Sequence, residues 1–116
     1  DRAVVAMQGA ATAVDEAEQQ LSIDLETAIA VRDNAVKKLE TARMSVLEAR
    51  EDLGLVKQQY QEGEASRVDF TESVTLYARA LGNRVTAFYT NQRAEAALFA
   101  IVGRVPEYRE EEVKEK

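Results

Sequence analysis

A chain of 116 residues with a formal net charge of −6, no cysteine and no histidine has room for one small domain at most. Those counts exclude disulfides, thiol catalysis and histidine-based metal sites, and the negative charge argues against a nucleic-acid backbone as partner. Apolar residues make up 46% of the chain but aromatic residues only 6%, a balance that suits closely packed helices better than a thick globular core.

The chain enters in mid-pattern at Asp1-Arg2-Ala3-Val4-Val5, without the basic start and long apolar run of a signal peptide. A segment of a longer chain is therefore expected, and a water-soluble one, since no stretch approaches the roughly 20 apolar residues of a membrane helix. Residues 1–60 then carry an apolar stripe in alternating steps of three and four, through Val4, Met7, Ala11, Val14, Leu21, Leu25, Ala28, Ala35, Leu39, Ala42, Val46, Ala49, Leu53, Val56 and Tyr60. Glu18 and Arg32 are its polar exceptions. A repeat of 3.5 residues is shorter than the α-helical 3.6, so keeping such a stripe on a partner helix needs a left-handed supercoil. The stripe runs through Gly9 and Gly54 without a change of register. One descending helix of roughly 85 Å is expected.

Residues 61–68 read as the reversal. Gly63 can take a positive φ at little steric cost and so end the first helix. Ser66, Arg67 and their polar neighbours make a short turn. Asp69 and Glu72 stand three apart, the spacing of a capping box, and Ser66 with Asp69 offers the same spacing one turn earlier; both remain open.

Residues 69–103 read as the shorter returning helix. Val74, Ala78, Leu81, Val85, Phe88, Gln92, Glu95, Phe99 and Val102 continue the spacing and are expected to face the first stripe. In that register Val56 meets Val74, Ala49 meets Leu81, Ala42 meets Phe88, Ala28 meets Val102, and Arg32 falls near Glu95, to pair with it or to extend to the rim. A second line, Ala80, Ala87 and Ala94, sits on an adjoining face where another helix could approach closely. Gly103 is read as the C′ residue, with Pro106 just beyond it. Residues 104–116 are charged, lack a stripe, and read as a solvated tail or a frayed helical turn. The fold class is thus all-α, a long antiparallel coiled-coil hairpin. The first stripe overhangs the second helix by about 25 residues, roughly 38 Å. Val4, Met7, Val14, Leu21 and Leu25 are then left bare, and self-association by antiparallel exchange of that stripe is expected.

Tyr60-x-x-Gly63, then Asp69-x-x-Glu72, then an Ala-rich helix carrying Leu81 and closing on Gly103, resemble the outer membrane efflux protein family, the TolC-like channels. The resemblance covers most of residues 10–103. It implies a trimer whose helices form an α-barrel across the periplasm beneath an outer-membrane β-barrel. It also implies tips that meet a periplasmic adaptor (membrane fusion) protein, which joins the duct to an inner-membrane pump. The roles it carries over are an acidic aperture ring for Asp69 and Glu72 and an aperture-holding hydrogen bond for Tyr60. The chain departs from the family pattern at Glu72, which is longer than the usual second acid, and at Phe70, Thr71 and Ser73. A basic residue that some relatives place two after the glycine is Ala65 here, with Arg67 nearby.

The residues themselves also give each site a plainer reading: Asp69 and Glu72 as helix caps, Tyr60 as a packed aromatic closing the hairpin. No enzyme is expected, because the carboxylate pairs lie on charged faces, and neither a phosphate loop nor a nucleophile with a base partner is present. No cofactor or metal is expected either. The rival to the duct reading is a stand-alone structural coiled-coil hairpin, acting as an oligomeric scaffold or as a periplasmic adaptor.

Overall fold

The computed structural model describes residues 2–104. Two helices account for nearly all of them: α1, Arg2–Gln61, of 60 residues, and α2, Arg67–Val102, of 36 residues. Ala, Leu, Glu, Gln, Arg and Lys dominate α1, and all of these but Lys supply nearly half of α2; they lose little side-chain freedom in a helix. Gly9 and Gly54 lie inside α1 without ending it. No helix among the described residues is long and apolar enough to cross a membrane.

The chain divides into two packing units. One comprises Asp33–Arg93, and the other combines, among the described residues, 2–32 with 94–104. In the first, α1 and α2 reverse at the tip and pack antiparallel. The α1 seam falls on the expected stripe: Ala35, Leu39 and Val46 are buried, and Ala42, Ala49, Leu53 and Val56 are half-buried.

The α2 seam does not fall where the apolar pattern placed it. Ser73, Ala80 and Asn91 are buried and Tyr77, Leu81 and Ala87 half-buried, so that Leu81 keeps part of its expected place, whereas Val74, Val85 and Phe88 are exposed. The seam is the neighbouring line, one residue earlier, which contains Ala80 and Ala87. The levels of the two helices are otherwise close to those expected. Val56 shares a groove with Ser73 rather than meeting Val74. Ala49 lies with Ala80 rather than Leu81, and Ala42 with Ala87 rather than Phe88. The physical reason is size. Small residues on both helices let the backbones approach and bring more atoms into contact, and dispersion gains accumulate with every such pair. Bulky Val74, Val85 and Phe88 would hold the helices apart, so they turn to the flank.

In the other unit, residues 2–20 of α1 are exposed throughout, including Val4, Met7 and Val14. Leu21 and Leu25, expected bare, are half-buried, and Ala28 is buried. From α2 this unit buries Ala94 and half-buries Leu98, Ile101 and Val102, while Phe99, expected in the seam, is 77% exposed. Arg32 and Glu95 are both exposed and make no ion pair. Gly103 follows α2 but does not take the positive φ of a C′ residue; its amide bonds to the Phe99 carbonyl at 3.0 Å, and the Arg104 amide to that of Ile101 at 3.0 Å. The rest of the charged tail and Pro106 lie outside the described residues.

Candidate functional site: the hairpin tip

The tip is assembled from two local motifs that meet. The first ends α1. Gly63 has φ 79°, in the left-handed region that a Cβ makes costly. That conformation turns the next amides back onto the last carbonyls of the helix. The Glu64 amide donates to the Gln59 carbonyl at 2.8 Å, and the Gly63 amide to that of Tyr60 at 3.2 Å. These are the two bonds of a Schellman motif with Gly63 at C′. The Ala65 amide adds a third bond, to Gln59, at 3.2 Å.

The second motif starts α2. The Asp69 amide donates to Ser66 Oγ at 3.1 Å, and the Ser66 amide donates to Asp69 Oδ2 at 3.2 Å. This reciprocal pair is a capping box with Ser66 at the N-cap and Asp69 at N3. Of the two boxes that the spacing allowed, the earlier one forms. The helix accordingly begins at Arg67 rather than at residue 69. Asp69 also places its charge in the first turn, where the helix dipole favours an anion.

Between the motifs the Tyr60 and Phe70 rings stack, with centroids 5.3 Å apart and planes 23° from parallel. Tyr60 remains 42% exposed, and its hydroxyl makes no hydrogen bond among the described residues. The stack closes the hairpin across its mouth. Phe70 is the tip residue that sequence reasoning passed over, noted only as a departure from a pattern. The signal was there: an aromatic in the first turn after the reversal, facing an aromatic in the last turn before it.

The acidic residues are brought to one side. Asp52, Glu64, Asp69 and Glu72 line a shallow open groove with Leu55 and Leu76. All four carboxylate residues are exposed. Glu72 takes no part in the cap, so its charge is fully displayed. Asp69 uses one oxygen in the box and keeps the other. Arg67 sits at the first helical position, exposed. Tyr60, Gly63, Ser66, Arg67, Asp69 and Glu72 thus all fall within the tip, with Tyr60 engaged in the stack and the acids turned to the groove. No group of His, Cys, Asp or Glu among the described residues has the arrangement to hold a metal ion.

No protein-family model, curated protein or solved structure matches the chain.

Proposed function

We propose that this hairpin is a periplasmic part of a trimeric outer-membrane efflux or secretion channel, contributing to the duct wall and ending in a gated tip that docks a periplasmic adaptor. The inner-membrane pump would act through that adaptor. The reading rests on the resemblance carried by Tyr60, Gly63, Asp69 and Glu72, and the observation that carries it furthest is the acidic groove. Asp69 and Glu72 are displayed at the tip beside Asp52 and Glu64, and the cap needs only one carboxylate of the four. Three copies around one axis would form a ring of negative charge at a constriction, which favours cations. The conduit is passive; the chain supplies walls and a gate, and no catalysis.

The test separates cap from gate. Asparagine at position 69 keeps a side-chain oxygen to accept the Ser66 amide, and it removes the charge. Asp69→Asn with Glu72→Gln in the complete gene product is expected to leave the hairpin folded and to weaken cation preference in single-channel recordings. Unchanged selectivity would reduce the acids to caps and groove lining, and absence of any conductance from the unaltered product would end the duct reading. The scaffold reading draws on a different observation. The Tyr60–Phe70 stack and the Ser66–Asp69 box give Tyr60 and Asp69 structural roles without a channel.

A further inference from the structure

The unit Asp33–Arg93 has two flanks beside its seam, and their chemistry differs. On one flank Leu39, Arg43, Arg84, Val85, Phe88 and Tyr89 line a groove. Steps of seven residues keep to one face of a packed helix. They carry this flank along α1 from Arg43 to Arg50 and Lys57, and along α2 from Phe88 to Leu81 and Val74. Val85 is 51% and Tyr89 60% exposed, and the Arg43, Arg50 and Lys57 side chains are exposed beside them. Glu40 is the acid on this flank, against those three cations and Arg84.

On the other flank three grooves adjoin, sharing Ser45, Asp52, Ser73, Leu76 and Asn83. Near the tip this flank is acidic, with Glu48, Asp52, Glu64, Asp69 and Glu72 against Arg79. Farther along it is lined by small side chains, Thr41, Ala42, Ser45 and Ala87, with Lys37 and Lys38 at the end.

The two flanks match level by level. The shared grooves set Val56 level with Ser73 and Ala42 level with Ala87. By that register Lys57 stands level with Glu72, Arg50 lies between Glu48 and Asp52, and Phe88 is level with Thr41. Most large or basic groups on one flank therefore have a small or acidic group at their own height on the other; the exceptions are Val74, level with Leu55, and Arg50, whose height Arg79 shares with Glu48 and Asp52.

We propose that this unit docks a second copy of the chain side by side, parallel and level, with the basic, aromatic flank of one copy against the acidic, small-residue flank of the next. Arg50 then enters between the Glu48 and Asp52 carboxylates of the next copy. Phe88 and Val85 fill the groove of small residues, and Val74 meets Leu55 and Leu76. Pairing like flanks is disfavoured, because it stacks Arg43, Arg50 and Lys57 against their own copies. Two different flanks make a heterologous contact, which propagates until it closes a ring or continues as an open array. Such a contact would serve a duct wall, but it stands on the flanks and not on the tip acids, so the conductance of the tip variant does not bear on it.

Sedimentation velocity on the 116-residue chain over a concentration series tests it. The chain is expected to grow past a dimer and to dissociate as salt shortens the screening length. Arg50→Glu alone, and Glu48→Lys with Asp52→Lys alone, are each expected to weaken association at least tenfold, and an equimolar mixture of the two proteins to restore it. All three positions are exposed, and circular dichroism of each variant checks that its helices are intact. A second measurement places Arg50→Cys and Asp52→Cys in one chain, which has no cysteine of its own. A short bismaleimide is expected to give a ladder that continues beyond dimers. A monomer at high concentration would overturn the proposal. So would a ladder stopping at dimers, or association indifferent to both reversals, which would assign it to the bare stripe at Val4, Met7 and Val14.

Discussion

At the scale of single residues the tip is over-determined, and its parts can be weighed separately. Gly63 has no atom near the place a Cβ would occupy, so Gly63→Ala meets no clash and is resisted by backbone conformation alone. Chemical denaturation is expected to show a loss of about 1–2 kcal/mol, the cost of the left-handed region for an L-residue. Ser66→Ala removes the acceptor for the Asp69 amide and is expected to cost about 1 kcal/mol. Asp69→Asn should cost less than Asp69→Ala, because the amide oxygen still accepts. If the two asparagine and alanine variants proved equally unstable, the lost charge and not the lost bond would be what matters at the cap. Asn91 is a different case. It is buried in the seam, and its Oδ1 has no hydrogen-bond partner. Asn91→Leu keeps the volume and removes the orphaned acceptor, so it is expected to stabilise the hairpin by about 1–2 kcal/mol. A lower melting temperature for the leucine variant would mean that the carboxamide is satisfied in solution.

At the scale of elements, the existence of two helices, the reversal at Gly63 and the α1 seam were all legible in the sequence. A single apolar line on α1, in unbroken steps of three and four, leaves one face to bury. On α2 two adjacent lines compete, and hydrophobicity and packing point to different ones. Counting apolar residues selects Val74, Val85 and Phe88. Close approach to Ala35, Ala42 and Ala49 selects Ala80, Ala87 and their neighbours. A single chain read for hydropathy has no term for the size of what lies opposite, and that is why the α2 seam was misplaced by one residue. The choice between capping boxes was hidden for a similar reason: Ser66 and Asp69 share their spacing with Asp69 and Glu72, and only the placement of Ser66 after the Schellman turn decides. The small seam carries its own prediction. Ala80→Leu puts a branched side chain where the backbones approach, and it is expected to destabilise by about 1–3 kcal/mol, with a lowered denaturation midpoint as the readout. A neutral outcome would show that the helices can separate freely.

At the scale of the whole molecule, burial is graded along α1. Residues 2–20 are exposed, whereas the buried positions of α1 lie between Ala28 and Val46 and those of α2 between Ser73 and Ala94. Amide hydrogen exchange is expected to follow that gradient, slowest around residues 35–56 and 73–94 and fastest in residues 2–20. Uniform protection along α1 in dilute solution would mean that something covers its bare stripe. The separation of seam from flank has a further consequence. What holds the two helices to each other is a seam of small residues such as Ala35, Ala80 and Ala87 set among Leu39, Val46 and Tyr77, and what lies on the flanks is aromatic and charged. Under the proposed side-by-side docking, substitutions at Arg50, Val85 or Phe88 would redirect which molecules the chain meets while the buried seam is left in place, so that partner choice could drift across generations on a scaffold that stays the same.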